Sequence, residues 1–579
     1  MKNKFSVISV LIFFILASSL ELCIAQFDYQ LRTNRLSIGI DNQGVLADVF
    51  LSPIQFCKGC YDDKTFLYSA GFYLGGKNGD SIWVNSVSSS DRNFDYIPGN
   101  VDSISTNPDY KLYVIKKEPP FNSTWEDYRK AVNKGAMFYN GDGDNFYNPV
   151  DLNGNGQWDL NEDCPDILGD ITTWCVFNDG KPANQRKFNN VNPLGIEIHQ
   201  TVWAYTTTNP NDARSSSFFV RYKIINTGKV SQTLDSVYFA AWSDTDLGEL
   251  NDAYLDDLGG CDTIHNSTYI FNDGVDPHWG INPPAHFTRI LQGPFVFIPG
   301  VTFTDINGNG EYDDLIDFPL DTAYNHLGQF IGREEIIGAK NLNMTSSFFN
   351  IINHYFYGIP GNKYEAWNYF MSRDRIGGLI SACTHQLGQV QSGVNCNNIN
   401  PKYIFSGDPV SNYGWINIMP YDYRQMAITG PFKLKVGKPV TIIVAHIVGR
   451  GYDALNSITV GRAYNSAVTQ FYKNNFASIP LSVQNNQPTH IVNDYELYQN
   501  YPNPFNPQTK IKFSVPELSF VKLSVFDILG KEVRTIVNDW KTTGEYVVEF
   551  DGSELPSGVY LYQIKAGNYV ETKKMILIK

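Results

Sequence analysis

The residues with the clearest potential for chemistry lie in one short acidic loop, residues 151–162, which reads Asp-Leu-Asn-Gly-Asn-Gly-Gln-Trp-Asp-Leu-Asn-Glu. Oxygen-bearing side chains recur at alternate positions, a glycine stands sixth and an acid closes the loop, as in calcium loops of this length. Calcium suits such a loop because it accepts about six to eight hard oxygen ligands in a flexible cage. The candidate ligands, with Gln157 acting through its backbone carbonyl, are Asp151, Asn153, Asn155, Gln157, Asp159 and Glu162. The alternative is a solvated Asn/Gly-rich turn.

A second loop repeats the first half of this pattern. Its candidate ligands are Asp305, Asn307, Asn309, Glu311 and Asp313. The pattern fails at the last position, where Ile316 stands in place of the acid, so Asp313, Asp314 or Asp317 would have to substitute. Both loops lie between predicted strands and lack the flanking helix pair of calcium sensors. We therefore expect one or two structural calcium ions, with catalytic calcium as a minor alternative.

Two other acidic segments are less regular. One lies just upstream of the first loop and could share its ion, with oxygens from Asn140, Asp142, Asp144 and Asn145. The other lacks calcium-loop spacing and comprises Asp244, Asp246, Glu249, Asp252, Asp256 and Asp257. For this second cluster a cation site and a solvated loop are both left open.

Motifs typical of enzymes are absent from the sequence: no His-Glu-x-x-His, no Gly-x-Ser-x-Gly and no Walker-type phosphate loop. A thiol nucleophile at Cys383, with His385 nearby, competes with a disulfide, which we favour. Paired carboxylates such as Glu197 and Asp244 stay open, because a sequence does not show their separation. We assign no catalytic residue.

Three tryptophans near predicted loops, Trp279, Trp367 and Trp415, could stack on sugars, although packing in a core is the more common role of such residues. Two functions therefore remain. The first is a calcium-stabilised protein with a structural or binding role. The alternative is a secreted hydrolase acting on polysaccharide or protein.

The composition favours β-structure outside the cytoplasm. Only 18% of the 579 residues are charged and 14% are aromatic, a balance typical of wide pleated sheets. The net charge of −14 argues against a nucleic-acid partner, since binding phosphates needs a basic face. Clustered carboxylates are instead compatible with divalent cations.

Alternating apolar and polar residues predict strands along most of the chain, as in 218–225, 236–241 and 440–445. Helical periodicity is scarce, and residues 125–132 and 458–476 are the best candidates for helices. The predicted class is all-β: a multi-domain β-sandwich ectodomain with calcium-binding loops, followed by a small immunoglobulin-like domain.

The ends of the chain indicate export. Residues 1–25 combine a basic start, a short apolar run and a small residue before Gln26, which predicts a signal peptide. No later segment is apolar for long enough to span a bilayer. The predicted divisions are an N-terminal β-rich domain at 26–120, a main domain at 121–480, a polar linker at 481–494 and a C-terminal domain at 495–579.

Cysteines fit an oxidising compartment, where disulfides staple loops. The candidate pairs are Cys57 with Cys60, Cys164 with Cys175, and Cys383 with Cys396. Cys261 is left over without an assigned partner. A single Cys-x-x-Cys does not complete a zinc site, so a local disulfide is the favoured interpretation of the first pair.

The C-terminal residues carry one specific motif, Asn500, Tyr501, Pro502, Asn503, Pro504, Phe505 and Asn506. Downstream matches are Leu529-Gly530, Gly544, the segment from Pro556 through Gly558 to Tyr560, and the ending with Lys573 and Lys574. This stretch closely resembles the type A C-terminal sorting domain of proteins exported by the type IX secretion system of Bacteroidetes-like bacteria. The middle region resembles, less specifically, uncharacterised secreted proteins with such domains, which implies no known activity.

The resemblance implies passage through the periplasm to secretion or to the outer-membrane surface. It also implies the partners: the type IX translocon, a sortase-like peptidase that removes the domain near 481–494, and cell-surface glycolipid as a possible attachment.

Overall fold

The computed structural model describes residues 29–48, 59–88, 95–188, 190–207, 209, 211–248, 255–476, 495–516, 519–541, 544–567 and 569–578. The predicted signal peptide (1–25), the linker (481–494) and Cys57 lie outside these residues. The chain divides into two compact units, and the division falls between Ala477 and Ser478 in the sequence.

Four α-helices are present in the described residues: α1 (Ser123–Asp127), α2 (Arg129–Val132), α3 (Lys363–Phe370) and α4 (Ala454–Lys473). The strands of the first unit are β1 (Tyr29–Arg32), β2 (Leu36–Ile40), β3 (Leu46–Ala47), β4 (Gly59–Tyr61), β5 (Lys64–Thr65), β6 (Ser69–Asn78), β7 (Ser81–Val87), β8 (Ile97–Pro98), β9 (Tyr113–Lys116), β10 (Phe138–Tyr139), β11 (Cys164–Pro165), β12 (Ile171–Asn178), β13 (Ile196–Ala204), β14 (Ser217–Asn226), β15 (Thr233–Asp244), β16 (Asp257–Asp262), β17 (Ser267–Asn272), β18 (Ala285–Gln292), β19 (Phe295–Val296), β20 (Phe303–Thr304), β21 (Phe318–Pro319), β22 (Thr322–Gly328), β23 (Gly332–Ile337), β24 (Lys340–Asn341), β25 (Ser346–Ile351), β26 (Gly388–Gln391), β27 (Gly414–Asn417), β28 (Tyr423–Lys435) and β29 (Val440–Gly449).

Two large antiparallel sheets form the first unit. Sheet A has the order β25-β28-β15-β6-β3-β2-β4-β5, with β1 beside β2 and β7 beside β6. Sheet B has the order β16-β17-β18-β29-β14-β13-β12-β8, with β9 beside β12. Apolar side chains from both sheets build one main core, which makes the unit a β-sandwich and confirms the all-β prediction. Strands from either side of the boundary predicted near residue 120 lie in both sheets.

Helix α4 covers the outer face of sheet B. The run of apolar residues in β29 serves two cores, because successive side chains point to opposite faces of a strand: Ile442 and Val444 face the main core, whereas Ile443 and Ala445 face the helix. Gly461 allows the close approach, since a Cβ there would lie 2.1 Å from the Phe287 ring. The packing of α4 on sheet B fixes the position of the helix.

The prediction of the two helical segments is confirmed, with α1 and α2 at the first and α4 at the second. Helix α4 begins four residues earlier than its periodicity predicted, because Asp453 caps it. The Asp453 carboxylate accepts the N–H of Asn456 at 2.7 Å, which satisfies one of the free donors of the first turn.

One predicted disulfide forms and another does not. Cys383 and Cys396 are bonded, with their Cα atoms 5.1 Å apart. The predicted Cys164–Cys175 pairing is wrong: Cys164 remains a buried thiol in a small satellite core, whereas Cys175 points from the opposite face of β12 into the main core. Cys60 is disulfide-bonded. Cys261 is a buried thiol whose pKa is raised to about 12 by burial.

A buried histidine pair in sheet B contacts Thr245, which directly follows β15 of sheet A. His286 Nε2 lies 3.2 Å from His446 Nδ1, and His286 Nδ1 lies 2.7 Å from the Thr245 hydroxyl. Burial lowers the pKa of His446 to about 3, and it lowers the pKa of His286 well below its usual value. Both rings are therefore neutral in the folded protein at every pH at which it is expected to work.

This pair makes stability depend on acid. Below about pH 6.5 the unfolded chain takes up protons that the folded chain refuses, so stability falls as the pH drops from about 6.5 towards the folded pKa values. In His446→Gln we expect the pH slope of the free energy of unfolding between pH 4.5 and 6 to be less steep by about 1.4 kcal/mol per pH unit. Denaturant titrations at several pH values measure it; an unchanged slope would contradict the burial argument.

The second unit is a smaller sandwich. Its strands are β30 (Glu496–Leu497), β31 (Gln508–Val515), β32 (Ser519–Phe526), β33 (Glu532–Lys541), β34 (Gly544–Asp551), β35 (Gly558–Ala566) and β36 (Tyr569–Leu577). Sheets β30-β31-β34 and β33-β32-β35-β36 enclose a core of their own. This arrangement agrees with the two-sheet fold predicted from strand alternation.

Candidate metal centres and sorting motif

The first acidic loop, residues 151–162, is organised around Asp151. Its carboxylate accepts the backbone N–H of Gly154 at 2.7 Å and of Gly156 at 2.8 Å. Both glycines have positive φ, near 71° and 73°, which L-residues with a Cβ rarely adopt. The bonds from these N–H groups hold the pKa of Asp151 below its usual value, so the carboxylate is charged.

Side chains converge on Asp159 within the same loop. The amides of Asn153 and Asn155 lie 2.7 and 2.9 Å from Asp159 Oδ2. Glu162, only 1% exposed, closes the loop: its two oxygens accept the N–H groups of Leu152 at 2.7 Å and Asp159 at 2.9 Å. The oxygens predicted as ligands thus belong to one compact, hydrogen-bonded turn, a donor set that fits a hard cation such as calcium.

The second loop repeats these bonds. Asp305 accepts the N–H of Gly308 at 2.7 Å and of Gly310 at 2.8 Å. The amides of Asn307 and Asn309 lie 2.7 and 2.6 Å from Asp313 Oδ2. Each contact has its counterpart in the first loop.

Asp317 closes the second loop. Its oxygens accept the N–H groups of Ile306 at 2.9 Å and Asp313 at 2.8 Å, as Glu162 does in the first loop. Asp317 is 7% exposed, whereas Ile316, at the expected closing position, is 51% exposed. Asp317, one residue after the expected position, therefore has the same role in the second loop as Glu162 has in the first.

Glu311 takes no part in the centre of the second loop through its side chain. Its carboxylate oxygens lie 2.9 Å from Lys433 Nζ and 2.5 Å from Lys435 Nζ, on strand β28. These hydrogen bonds lower the pKa of Glu311. The pairs tie the loop to sheet A, and only the backbone carbonyl of Glu311 remains available to an ion.

Aromatic residues connect the first loop to a hairpin that follows the second. Phe330, in the turn between β22 and β23, packs on Trp158 with ring centroids 4.6 Å apart. Trp158 also donates its indole N–H to the Glu162 carbonyl at 3.0 Å. Tyr139 meets both rings edge-on. The same hairpin also borders the second loop, because Gly338, directly after β23, lies against the ring of Tyr312.

The upstream acidic segment meets a residue that the sequence did not suggest. Carboxylate oxygens of Asp142, Asp144 and Asp163 lie within 4.8 Å of one another. Asp163 accepts the N–H groups of Gly141 at 2.9 Å and Asn148 at 2.8 Å. Asp163 directly follows Glu162, so this segment is anchored to the end of the first loop.

The cluster around Asp244 is buried and gains a distant member. Oxygens of Asp244, Asp246 and Asp422 lie within 4.8 Å of one another. Arg424 lies between two of them, with Nη1 2.7 Å from Asp422 and Nε 3.2 Å from Asp244. Burial raises the pKa of Asp244 despite this guanidinium. Spacing could not reveal Asp422, because only the pairing of β15 with β28 brings it to Asp244.

Asp257, from the same predicted cluster, is fully buried. Burial, and then the charge of Asp246, raises its pKa well above the usual value. Asp256 is about half-buried and its pKa is raised to about 6. Glu249 and Asp252 lie outside the described residues.

The other residues considered for chemistry, Glu197 and the three tryptophans, have structural roles. Glu197 accepts hydrogen bonds from Asn100 at 3.0 Å and Val101 at 2.9 Å, and contacts His199 at 2.8 Å. It lies in sheet B, whereas Asp244 lies in sheet A. Trp279 and Trp415 are 3% and 1% exposed, which excludes them as sugar platforms. Trp367 packs edge-on against Tyr238 and Phe370.

In the second unit the Asn-Tyr-Pro-Asn-Pro-Phe-Asn motif is partly buried. Asn500 donates its N–H to the Tyr562 hydroxyl at 2.8 Å and its amide to the Thr509 hydroxyl at 3.0 Å. Asn503 accepts the N–H of Ile576 at 2.9 Å, and Phe505 donates to the carbonyl of the same residue at 2.9 Å.

The motif thereby fastens the terminal strand β36. Gly558 pairs with Leu577 on the neighbouring strand, and Lys573 lies 3.1 Å from Glu571. The backbone carbonyl of Lys574 accepts the amide of Asn503 at 3.3 Å. The exposed residues of the motif are Tyr501, Pro502, Pro504 and Asn506.

A clear similarity to a known family lies in this second unit. Residues 499–579 match the family of secretion system C-terminal sorting domains. The chain is therefore cargo of the type IX secretion system, destined for secretion or the outer-membrane surface.

Similarity to known proteins over the rest of the chain is slight. No curated protein sequence matches the chain. Among solved structures, the adhesin domain of Epf from Streptococcus pyogenes is aligned at 9% identity over 70% of this chain and 89% of that one. Its TM-score of 0.12 is too low to support any inference about fold or function. In the described residues no helix has the length and apolarity needed to cross a membrane.

Proposed function

We propose that this exported protein is a calcium-stabilised β-rich ectodomain with a structural or binding role at the cell surface. The observation that carries the proposal is the repetition of one hydrogen-bond pattern in two loops, each closed by a buried carboxylate, Glu162 or Asp317. Calcium bound there would stabilise long connections of the sandwich, since an ion that binds only the folded chain favours folding.

The test is a calorimetric calcium titration of the full chain. We expect two ions to bind, and Glu162→Gln and Asp317→Asn each to remove one, because each variant loses one charged ligand oxygen. Glu311→Gln is the matched control: it removes a charge from the second loop, but its side chain faces Lys433 and Lys435. Unchanged stoichiometry in both loop variants would refute the assignment.

The sorting domain supports two further proposals. By resemblance, we infer that a sortase-like peptidase removes it within residues 481–494 and that the mature chain is attached to cell-surface glycolipid. Such a cut would fall between the last described helix of the first unit, which ends at Lys473, and the first described strand of the second, which begins at Glu496.

A further inference from the structure

Three polar side chains of the first unit, two from one turn and one from α4, form a continuous hydrogen-bonded chain. Asp262 ends strand β16, His265 lies in the turn before β17, and Ser466 lies on α4. His265 Nδ1 is 2.8 Å from Asp262 Oδ2, and His265 Nε2 is 2.9 Å from Ser466 Oγ. The order acid, imidazole, hydroxyl and both distances are those of a nucleophile activated by a general base.

The direction of the hydrogen bonds follows from the carboxylate. Burial favours the neutral form of Asp262, yet hydrogen bonding to His265 and the charge of Arg462 keep the pKa of Asp262 below its usual value. An ionised carboxylate only accepts, so Nδ1 carries the proton and Nε2 is free to accept the hydroxyl proton of Ser466. Serine activation requires this tautomer.

The turn holds its members in place. Asp262 Oδ1 accepts the N–H groups of Ile264 at 3.0 Å and His265 at 3.2 Å. The side chains of Asp262 and His265 are 5% and 12% exposed, and Ser466 is partly exposed. The acid is thus buried, whereas the serine lies nearer the surface. Ile264, 86% exposed on the same turn, offers an apolar contact.

A buried cation lies beside the serine. Arg289 donates to the Asn465 carbonyl at 2.5 Å and to the Thr469 hydroxyl at 2.7 Å, which flank Ser466 on α4. Among the described residues no group accepts a hydrogen bond from the Nε–H of Arg289, and the residue is only 5% exposed. The guanidinium therefore holds this part of α4 in place from beneath, with its Nε buried away from solvent.

We propose that Ser466, His265 and Asp262 form an acyl-transfer centre that acts on carboxylic esters with a small apolar acyl group. Ser466 Oγ would attack the carbonyl carbon while His265 Nε2 takes its proton. Cleavage of the C–O bond would release the alcohol with the proton from His265. Water, deprotonated by His265, would then attack the acyl-serine, release the acid and restore the hydroxyl.

The centre lies apart from both calcium-type loops, so its failure would leave the calcium proposal intact. It would give the chain a hydrolytic activity, for which its sequence carries no local motif. Asp262 would act only through His265, as a positioning residue.

The test uses the full chain and two probes, a fluorophosphonate and p-nitrophenyl acetate. We expect the fluorophosphonate to label Ser466, identified by peptide mass spectrometry, and ester hydrolysis to fall at least about a hundredfold in Ser466→Ala and His265→Gln. Thr459→Ala, a partly exposed hydroxyl of the same helix, is the matched control and should keep both signals.

Asp262→Asn should lower the rate and change its pH profile, because it alters the tautomer of His265. Circular dichroism and thermal melting confirm that each variant is folded. Failure to label Ser466, or equal hydrolysis by folded Ser466→Ala and the parent, would overturn the proposal and leave these residues as a tie between the turn and the helix.

Discussion

A chain truncated after Asp494 is expected to accumulate in the periplasm and to disappear from the cell surface. The truncation removes the whole sorting unit, including the motif at 500–506 and strand β36, which that motif fastens. The first unit has its own core, so the truncated chain should still fold. Cell fractionation and surface labelling in a host with a type IX system measure the result.

Two point variants sharpen this experiment. Asn503→Ala removes the side-chain hydrogen bonds of Asn503 with Ile576 and Lys574 and should lower surface delivery. Lys522→Gln changes an exposed pair with Glu532 on the same unit and should not. Wild-type amounts of truncated chain at the surface would show that the sorting unit is dispensable.

Removal of calcium is expected to lower the melting temperature of the first unit. At free calcium about a hundredfold above the dissociation constant, each ion adds about 2.7 kcal/mol to the free energy of unfolding. Two filled loops would therefore contribute about 5 kcal/mol, lost on addition of a chelator. Thermal melting with calcium, with chelator and with magnesium measures the effect.

Single variants should divide this effect. Glu162→Gln and Asp317→Asn are each expected to lose about half of the calcium-dependent shift and the double variant all of it, whereas Glu311→Gln should retain it. Magnesium should substitute poorly, because it demands a tight octahedral cage. A melting temperature that is the same with calcium and with chelator would contradict the assignment of both loops.

The local features of this protein could be predicted from its sequence. The first loop, the helix α4 and the sorting unit depend on neighbouring residues, and their spacing is sufficient to identify them. The second loop shows the limit of such spacing. Its template demanded an acid at Ile316, but one extra residue lets the shorter Asp317 reach the same N–H groups.

Contacts set by tertiary structure could not be predicted. Cys164 and Cys175 are close in sequence, but their side chains lie in different cores on opposite sides of strand β12. Asp422 meets Asp244 only through strand pairing. Ser466 meets His265 only because α4 packs on the outer face of sheet B. The two residues of each pair lie too far apart in the sequence for a local pattern to connect them.

The contact between Phe330 and Trp158 has a thermodynamic consequence. Trp158 lies within the first loop and Phe330 lies in a hairpin that begins shortly after the second. The hairpin also ends at Gly338, which lies against Tyr312 of the second loop. If ions order both loops, ordering one therefore also orders part of the hairpin that the other contacts. Each ion would then raise the affinity for the other by the same factor, since such coupling is reciprocal. The two loops would then bind calcium cooperatively, over a narrower range of calcium concentration than two independent sites.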